Sequence, residues 1–420
     1  GREVMSNKAS KERYRPYFLK GNPFPPMAII DPYSTDIRIN GMIFNKEVFQ
    51  EEIAELRRKI DSRVNLIYIT GGGYERGTGK SALMVQEWKR LTEEPSITSV
   101  YIKVRSKSGP SDFCDDIVLK WHDGGFLWET LKKLLSKYAD ETPSPRVDSG
   151  DVRAFASTYP EMTDDIQFGL FSFLYKTEVV VSDVAKWICS RSPLAKEKIV
   201  QAFLGTYLTK PSNFLNEWLK ITRGKGTDKI DCLRTMMELV RVSGCLYHYF
   251  FLDQFEETIE PLRGASLSVF STGMSSLLRA CAGQATVVVT LHPVAEQALG
   301  QPEGKHVISL ASLDRRHKVD VNTMSPPEGV KLCLGYMSHF RAGKPKTPVF
   351  PFDEDVVKYL TYLTNGVPRL LLESMNHAIE VGISNEYAII TLDFLQQHHE
   401  QITGRVFIKE KLEEYLESAK

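Results

Sequence analysis

Little in this sequence supports a disulfide-stapled, metal-clustered or membrane-spanning molecule. Its six cysteines (Cys114, Cys189, Cys232, Cys245, Cys281 and Cys333) are scattered, with no Cys-x-x-Cys pair and no histidines at metal spacing. That pattern excludes a cysteine scaffold and a zinc-finger type of site, and it fits a reduced, cytoplasmic setting. No window approaches the roughly eighteen uninterrupted apolar residues that a membrane helix needs, so a soluble chain with no membrane contact is expected. No secretory apolar region opens the sequence, and no internal repeat runs through it. Charge of either sign is not in excess: lysine plus arginine and aspartate plus glutamate number 53 each. With no global field, a nucleic-acid partner would have to be met by a local patch.

What is present is length and patterning. A chain of 420 residues can hold two or three compact units. Residues 1–44 read as a basic N-terminal arm in which Asn22-Pro-Phe-Pro-Pro-Met27 is extended, because each proline disfavours helix before it. Val48, Ile53, Leu56 and Ile60 recur at helical spacing over 45–60. Val64–Thr70 is a short apolar run that stops at three glycines and gives way to a helical composition over 81–91. A second strand is expected over 99–104. From about 108 to 242 the pattern is helical, broken by a Pro/Ser/Asp-rich stretch at 140–151, and reads as a large insertion. Strand character returns over 245–252 and 285–291, continuous rather than alternating, as buried parallel strands are. Residues 306–310 and 318–321 offer a fifth strand. Beyond Ser325-Pro-Pro, helical bursts over 329–340, 355–364 and 369–381 predict a separate unit. The expected architecture is α/β: a parallel five-stranded αβα sandwich over 45–322 interrupted by the insertion, then a helical lid and C-terminal helix over 323–420.

The sharpest chemical signal is Gly73-Tyr-Glu-Arg-Gly77-Thr78-Gly79-Lys80-Ser81-Ala82, between a strand and a helix. Backbone N–H groups of such a loop close around phosphates and the helix N-terminus adds its positive end. Lys80 neutralises phosphate charge, and the Ser81 hydroxyl can ligate Mg²⁺. The usual spacing puts a glycine where Tyr74 stands. The second half of such a site is a carboxylate at the end of another buried strand, and Phe250-Phe-Leu-Asp253 supplies it. Glu256 and Glu257 are candidates to polarise an attacking water, or else first-turn acids of a helix. Thr290 or His292, ending the next strand, could sense a terminal phosphate. Arg315 and Arg316 could offer a cation to a neighbouring subunit's nucleotide, or form a solvated charge run. In Asn365-Gly366-Val-Pro368-Arg369 an arginine opens a helix, where a cation opposes the dipole and wants an external reason; it reads as a bidentate donor to phosphate oxygens, or else as a surface arginine at a helix start. No Asn-Lys-x-Asp sequence is present to read guanine, so ATP with Mg²⁺ is the expected ligand pair.

Gly77-Thr-Gly79-Lys80-Ser81, Asp253-Gln-Phe-Glu-Glu257 and Gly366-Val-Pro-Arg369 together resemble the AAA+ P-loop ATPases of the origin-recognition and initiator clade, over about 22–385. The Asp-Gln-Phe-Glu-Glu string is similar to signal-transduction ATPases with numerous domains (the STAND type), and Asn22-Pro-Phe to secretion and transposition helper ATPases. The resemblance implies that Lys80 and Ser81 form the Walker A pair, Asp253 is the Walker B acid, Thr290 or His292 is sensor one and Arg369 is sensor two. Gln254 stands where many such ATPases carry a catalytic glutamate, which predicts slow hydrolysis. The first expectation is therefore a nucleotide-driven switch or assembly ATPase with a nucleotide-dependent oligomer and DNA or a protein as partner. DNA would use Lys8, Lys11, Arg13, Arg15 and Lys20 of the arm, and Lys196, Lys198, Lys210, Lys220, Arg223, Lys225 and Lys229 beside Trp187, Phe203, Phe214 and Trp218. Those aromatics read more readily as helix core than as base-stacking platforms. The alternatives are a STAND-type signalling or defence ATPase binding only protein partners, and a small-molecule kinase.

Overall fold

The computed structural model describes residues 12–71, 77–142, 177–209, 211–223, 228–292, 295 and 316–418. Five parallel strands form one sheet: β1 (Leu66–Gly71), β2 (Ile97–Lys103), β3 (Tyr247–Asp253), β4 (Ala285–Leu291) and β5 (Lys318–Val321), in the order β2-β3-β4-β1-β5. The three inner strands carry no exposed residue, which is why their sequences are unbroken apolar runs rather than alternating ones. The expected strand at 306–310 lies outside the described residues.

Alternation along each strand sorts the sheet into two faces. Leu66, Tyr68, Val100, Ile102, Phe250, Leu252, Val287 and Val289 join one buried cluster. Ile67, Ile69, Tyr101, Phe251, Val288 and Val319 join the other. The second face is covered by α1 (Gln50–Asp61), α2 (Lys80–Thr92) and the C-terminal helical unit.

The first face is covered by α3 (Pro110–Asp123), α4 (Phe126–Glu141), α5 (Thr177–Arg191), α6 (Glu197–Thr209), α7 (Phe214–Thr222) and α8 (Lys229–Ser243), with α10 (Gly264–Cys281) from later in the chain. The segment expected as an insertion is thus also a full layer of the sandwich, with a core continuous with the sheet. Trp187, Phe203, Phe214 and Trp218 are all buried in that core. The Trp218 indole donates to Asp115 at 3.1 Å, and Lys229 pairs with the same carboxylate at 2.5 Å. These aromatics are helix core and offer no stacking platform.

The C-terminal unit comprises α11 (Pro326–Phe340), α12 (Glu354–Leu363), α13 (Pro368–Ser384), α14 (Leu392–Gln397), α15 (His399–Thr403) and α16 (Lys409–Ser418). α11 begins three residues before the expected 329: Ser325 and Glu328 form a capping box, and prolines occupy the first turn, where their missing N–H groups are harmless. α1 starts at Gln50 rather than 45, because the Asn45 side chain accepts from the Glu47 N–H at 2.9 Å and holds a turn there.

The described part of the expected arm is a strap packed on the fold. Tyr17, Leu19 and Phe24 are buried. Tyr14 donates to Glu380 at 2.7 Å, Tyr17 to the Tyr387 carbonyl at 2.7 Å and Asn22 to the Asn376 carbonyl at 3.0 Å, all into α13 and its C-terminal turn. Further along, Lys89 of α2 donates to the Asn40 carbonyl at 2.9 Å. The strap therefore ties the helical unit to the sheet layer. Arg13 is ion-paired with Glu380.

His248, fully buried in β3, is bonded through Nδ1 to Thr98 Oγ1 at 2.8 Å, and burial pushes its pKa down to about 3. The unfolded chain takes up that proton below about 6.5. Between those two values the unfolded state binds more protons, so stability falls as pH falls, by up to about 1.4 kcal/mol per pH unit from this residue. Denaturant midpoints at pH 7 and pH 5 should differ less in His248→Phe than in the unsubstituted protein.

Candidate functional site

Strand alternation decides which side chains meet at the C-terminal edge of the sheet. Phe251 and Val288 face α2, so Asp253 and Thr290, each two residues on, face it as well. β4 lies between β1 and β3, which seats Thr290 between the glycine loop after β1 and the carboxylate that ends β3.

Asp253 is buried and both of its oxygens are engaged. Oδ1 accepts from Ser81 Oγ at 2.9 Å and from the Gln254 N–H at 2.9 Å, and lies 3.3 Å from Thr290 Oγ1. Oδ2 accepts from the Tyr101 hydroxyl at 2.5 Å. Burial first, and then the Asp253 charge, hold the Tyr101 phenol protonated far above its ordinary range, so it remains a donor. Gln254 sits in the left-handed region at φ 58°, a conformation uncommon outside glycine and found where surroundings enforce it. Here its N–H is held by Asp253 and by Thr290 Oγ1 at 2.8 Å.

Glu256, in the short helix α9 (Glu256–Ile259), is buried with Oε2 3.2 Å from Thr290 Oγ1. Desolvation raises its pKa, opposed in part by the Lys80 charge. Of the two acidic candidates, Glu256 is thus joined to Thr290 and through it to Asp253. Glu257 lines the same cavity. His292 is buried just past the end of β4.

The loop side is built on glycine. Gly77 has φ +92° and Gly79 φ +100°, and a Cβ on Gly77 would stand 2.5 Å from the Arg369 Cβ. No other residue fits at 77 without displacing α13. Gly79 caps α2, so Lys80 and Ser81 lie in its first turn, whose N–H groups have no partner within the helix. Lys80 is buried. From the other side the Arg369 N–H donates to the Gly77 carbonyl at 3.2 Å, which docks the start of α13 on the loop.

These elements enclose a cavity of about 340 Å³, within the range of small-molecule sites. Part of its lining comes from the glycine loop, the turn after β3 and the start of α13: Gly77, Thr78, Gly79, Lys80, Ser81, Ala82, Gln254, Glu256, Glu257 and Arg369. The rest comes mostly from the strap and the helical unit and is largely apolar, with Ala28, Ile29, Ile30, Phe44, Leu332 and Leu372 beside the polar Arg38 and Asn45. A lining with a cation, a helix N-terminus and the Ser81 hydroxyl, backed by the buried Asp253 carboxylate, suits phosphates, and the apolar walls suit a flat ring.

Sequence reasoning did not find Tyr101 or the apolar wall. Tyr101 sits inside a β-rich run like any core aromatic, and Ala28–Ile30 is an unremarkable apolar stretch; their roles arise from pairing distant in sequence. Arg316 is exposed beside β5, whose first residue pairs with Tyr68 in the middle of β1. It therefore lies toward the end of the sheet opposite the glycine loop and does not join this cavity. Arg315, Gly73 and Tyr74 lie outside the described residues. No protein-family model matches the chain, and no curated protein is similar to it in sequence.

Proposed function

We propose that this protein is an ATP-binding switch of the P-loop class, similar to the AAA+ ATPases. It hydrolyses ATP slowly and passes its nucleotide state to a partner through the helical lid of residues 323–420. The observation that carries this reading is the 2.9 Å contact of Ser81 with Asp253, beside a cavity that Ser81 and Arg369 both line. A hydroxyl at a helix start meeting a strand-end carboxylate is the pair that holds Mg²⁺ beside a nucleotide. Among the described residues no cluster of three or more His, Cys, Asp or Glu side chains could hold a metal alone. That suits Mg²⁺, which is bound by one or two protein oxygens with phosphate and water oxygens completing the shell. When bound, it would neutralise charge building on the phosphoryl oxygens.

Adenine is expected against Ala28, Ile29, Ile30 and Leu372, and the phosphates against Gly77–Ser81. Slow hydrolysis follows from two features. Gln254, which cannot act as a base, follows Asp253, and the carboxylate nearest Thr290, Glu256, is held toward its neutral form by burial. Because the lid contributes Arg369 and Leu372 to the cavity lining, nucleotide contacts on both bias its closure.

The partner we infer is a protein rather than DNA. The insertion's aromatics are buried, and Lys196, Lys220 and Lys229 are paired with Asp231, Glu217 and Asp115. Lys8, Lys11, Lys210 and Lys225 lie outside the described residues. The test is the MgATP turnover rate of the intact chain with and without DNA at low salt, with a mass measurement in ATP. Slow turnover indifferent to DNA, with a mass that responds to ATP, is expected. Turnover stimulated by DNA and lost in Lys220→Glu/Arg223→Glu would put DNA in the partner's place, and no nucleotide binding at all would end the ATPase reading.

A further inference from the structure

Arg369 is held in a particular way. Its Nε is 3.1 Å from Glu373 Oε1, one helical turn along α13, and that same oxygen accepts the Ala28 N–H at 3.0 Å. The two terminal guanidinium nitrogens have no hydrogen-bond partner among the described residues. One carboxylate oxygen therefore fixes the stem of the lid arginine and the start of the apolar wall together. It leaves the outer fork of Arg369, whose stem packs on Gly77 and which lines the same cavity as Lys80, free to donate.

We infer that Glu373 is a positioning residue that sets the preference of this site for a nucleoside triphosphate over a diphosphate. It does so by holding Arg369 in the orientation that reaches a terminal phosphate. The inference rests on the ATP-switch reading of the cavity. An arginine fork is worth most when pre-organised, because long side chains otherwise lose rotamer freedom on binding. Glu373 supplies that organisation through Nε, the one guanidinium donor that a bidentate contact made by the two terminal nitrogens does not need. Its link to Ala28 means that the base wall and the phosphate-sensing arginine move as one body with α13. A diphosphate, which lacks the group Arg369 would meet, draws nothing from this arrangement.

The experiment is equilibrium titration of ATP and of ADP, each with Mg²⁺, into the intact protein and into Glu373→Ala, Glu373→Gln, Arg369→Ala and Glu373→Ala/Arg369→Ala. Glu373→Ala is expected to lower the ATP:ADP affinity ratio about tenfold, the scale of one charge-assisted contact. The double variant should fall no further than Arg369→Ala. Glu373→Gln, whose amide oxygen still accepts from both partners, should recover most of the ratio. A proportional loss of both nucleotides in Glu373→Ala would show a merely structural role through Ala28 and overturn the inference. So would additive effects in the double variant, or an Arg369→Ala ratio equal to that of the unsubstituted protein. If the unsubstituted protein binds neither nucleotide, the ATP-switch reading itself fails, an outcome distinct from these.

Discussion

Replacing Lys80 with alanine is expected to abolish MgATP turnover and to weaken ATP binding by about 100-fold or more, the scale on which one pre-organised charged donor acts on phosphoryl oxygens. Lys80 opens α2 directly after Gly79 and is buried. In such a site its charge acts through a medium far less screening than water. Glu256, whose titration feels the Lys80 charge, is a second reason to expect a broad effect: without the cation, the carboxylate is driven further toward its neutral form. The fold should survive, because neither sheet cluster depends on Lys80. Circular dichroism and a denaturation midpoint close to that of the unsubstituted protein would establish that the loss is local. Unchanged affinity and turnover in a folded Lys80→Ala would remove the phosphate-loop assignment.

Glu256→Gln is expected to lower turnover by about 10²–10⁴-fold, the contribution of a positioned general base, while leaving ATP affinity close to that of the unsubstituted protein. The amide keeps the shape and an acceptor toward Thr290 Oγ1, which lies 3.2 Å away, and loses only the capacity to take a proton. The pH profile offers an independent check. Burial raises the Glu256 pKa above the usual carboxylate value, so at mildly acidic pH the folded protein holds a proton there that the unfolded chain has released. In that window the group's contribution to stability falls as pH rises, and the base becomes competent over the same range. kcat/KM, which reports the free enzyme, should therefore rise with pH along a limb placed above the ordinary glutamate value. If Glu256→Gln kept full turnover and Glu257→Gln lost it, the assignment would pass to Glu257.

Much of this was legible in the sequence, for identifiable reasons. Buried parallel strands announce themselves as unbroken apolar runs, so β1, β3 and β4 were expected within one or two residues, and 285–291 at its observed bounds. The loop at Gly77–Ser81 and the acid at Asp253 belong to local patterns whose glycines and strand ends have direct physical meaning. What sequence could not give were relations set by pairing and packing. Tyr101 reaches Asp253 because β2 lies beside β3, and Thr290 reaches it because β4 does; neither adjacency is encoded nearby. The strap was read only as an arm leading into the fold because its tethers, such as Asn22 to Asn376, span more than three hundred residues. The helical segment was read as an insertion because its periodicity shows an apolar face and not what that face covers.

The central claim is that the cavity between the glycine loop and α13 binds ATP. Calorimetric titration of the intact, folded chain with ATP and with GTP in the presence of Mg²⁺ tests it most directly. The account predicts saturable ATP binding at a single site, much weaker GTP binding, and loss of the ATP signal in Lys80→Ala. Absence of saturable ATP binding by the folded protein, or ATP binding undiminished in Lys80→Ala, would contradict it.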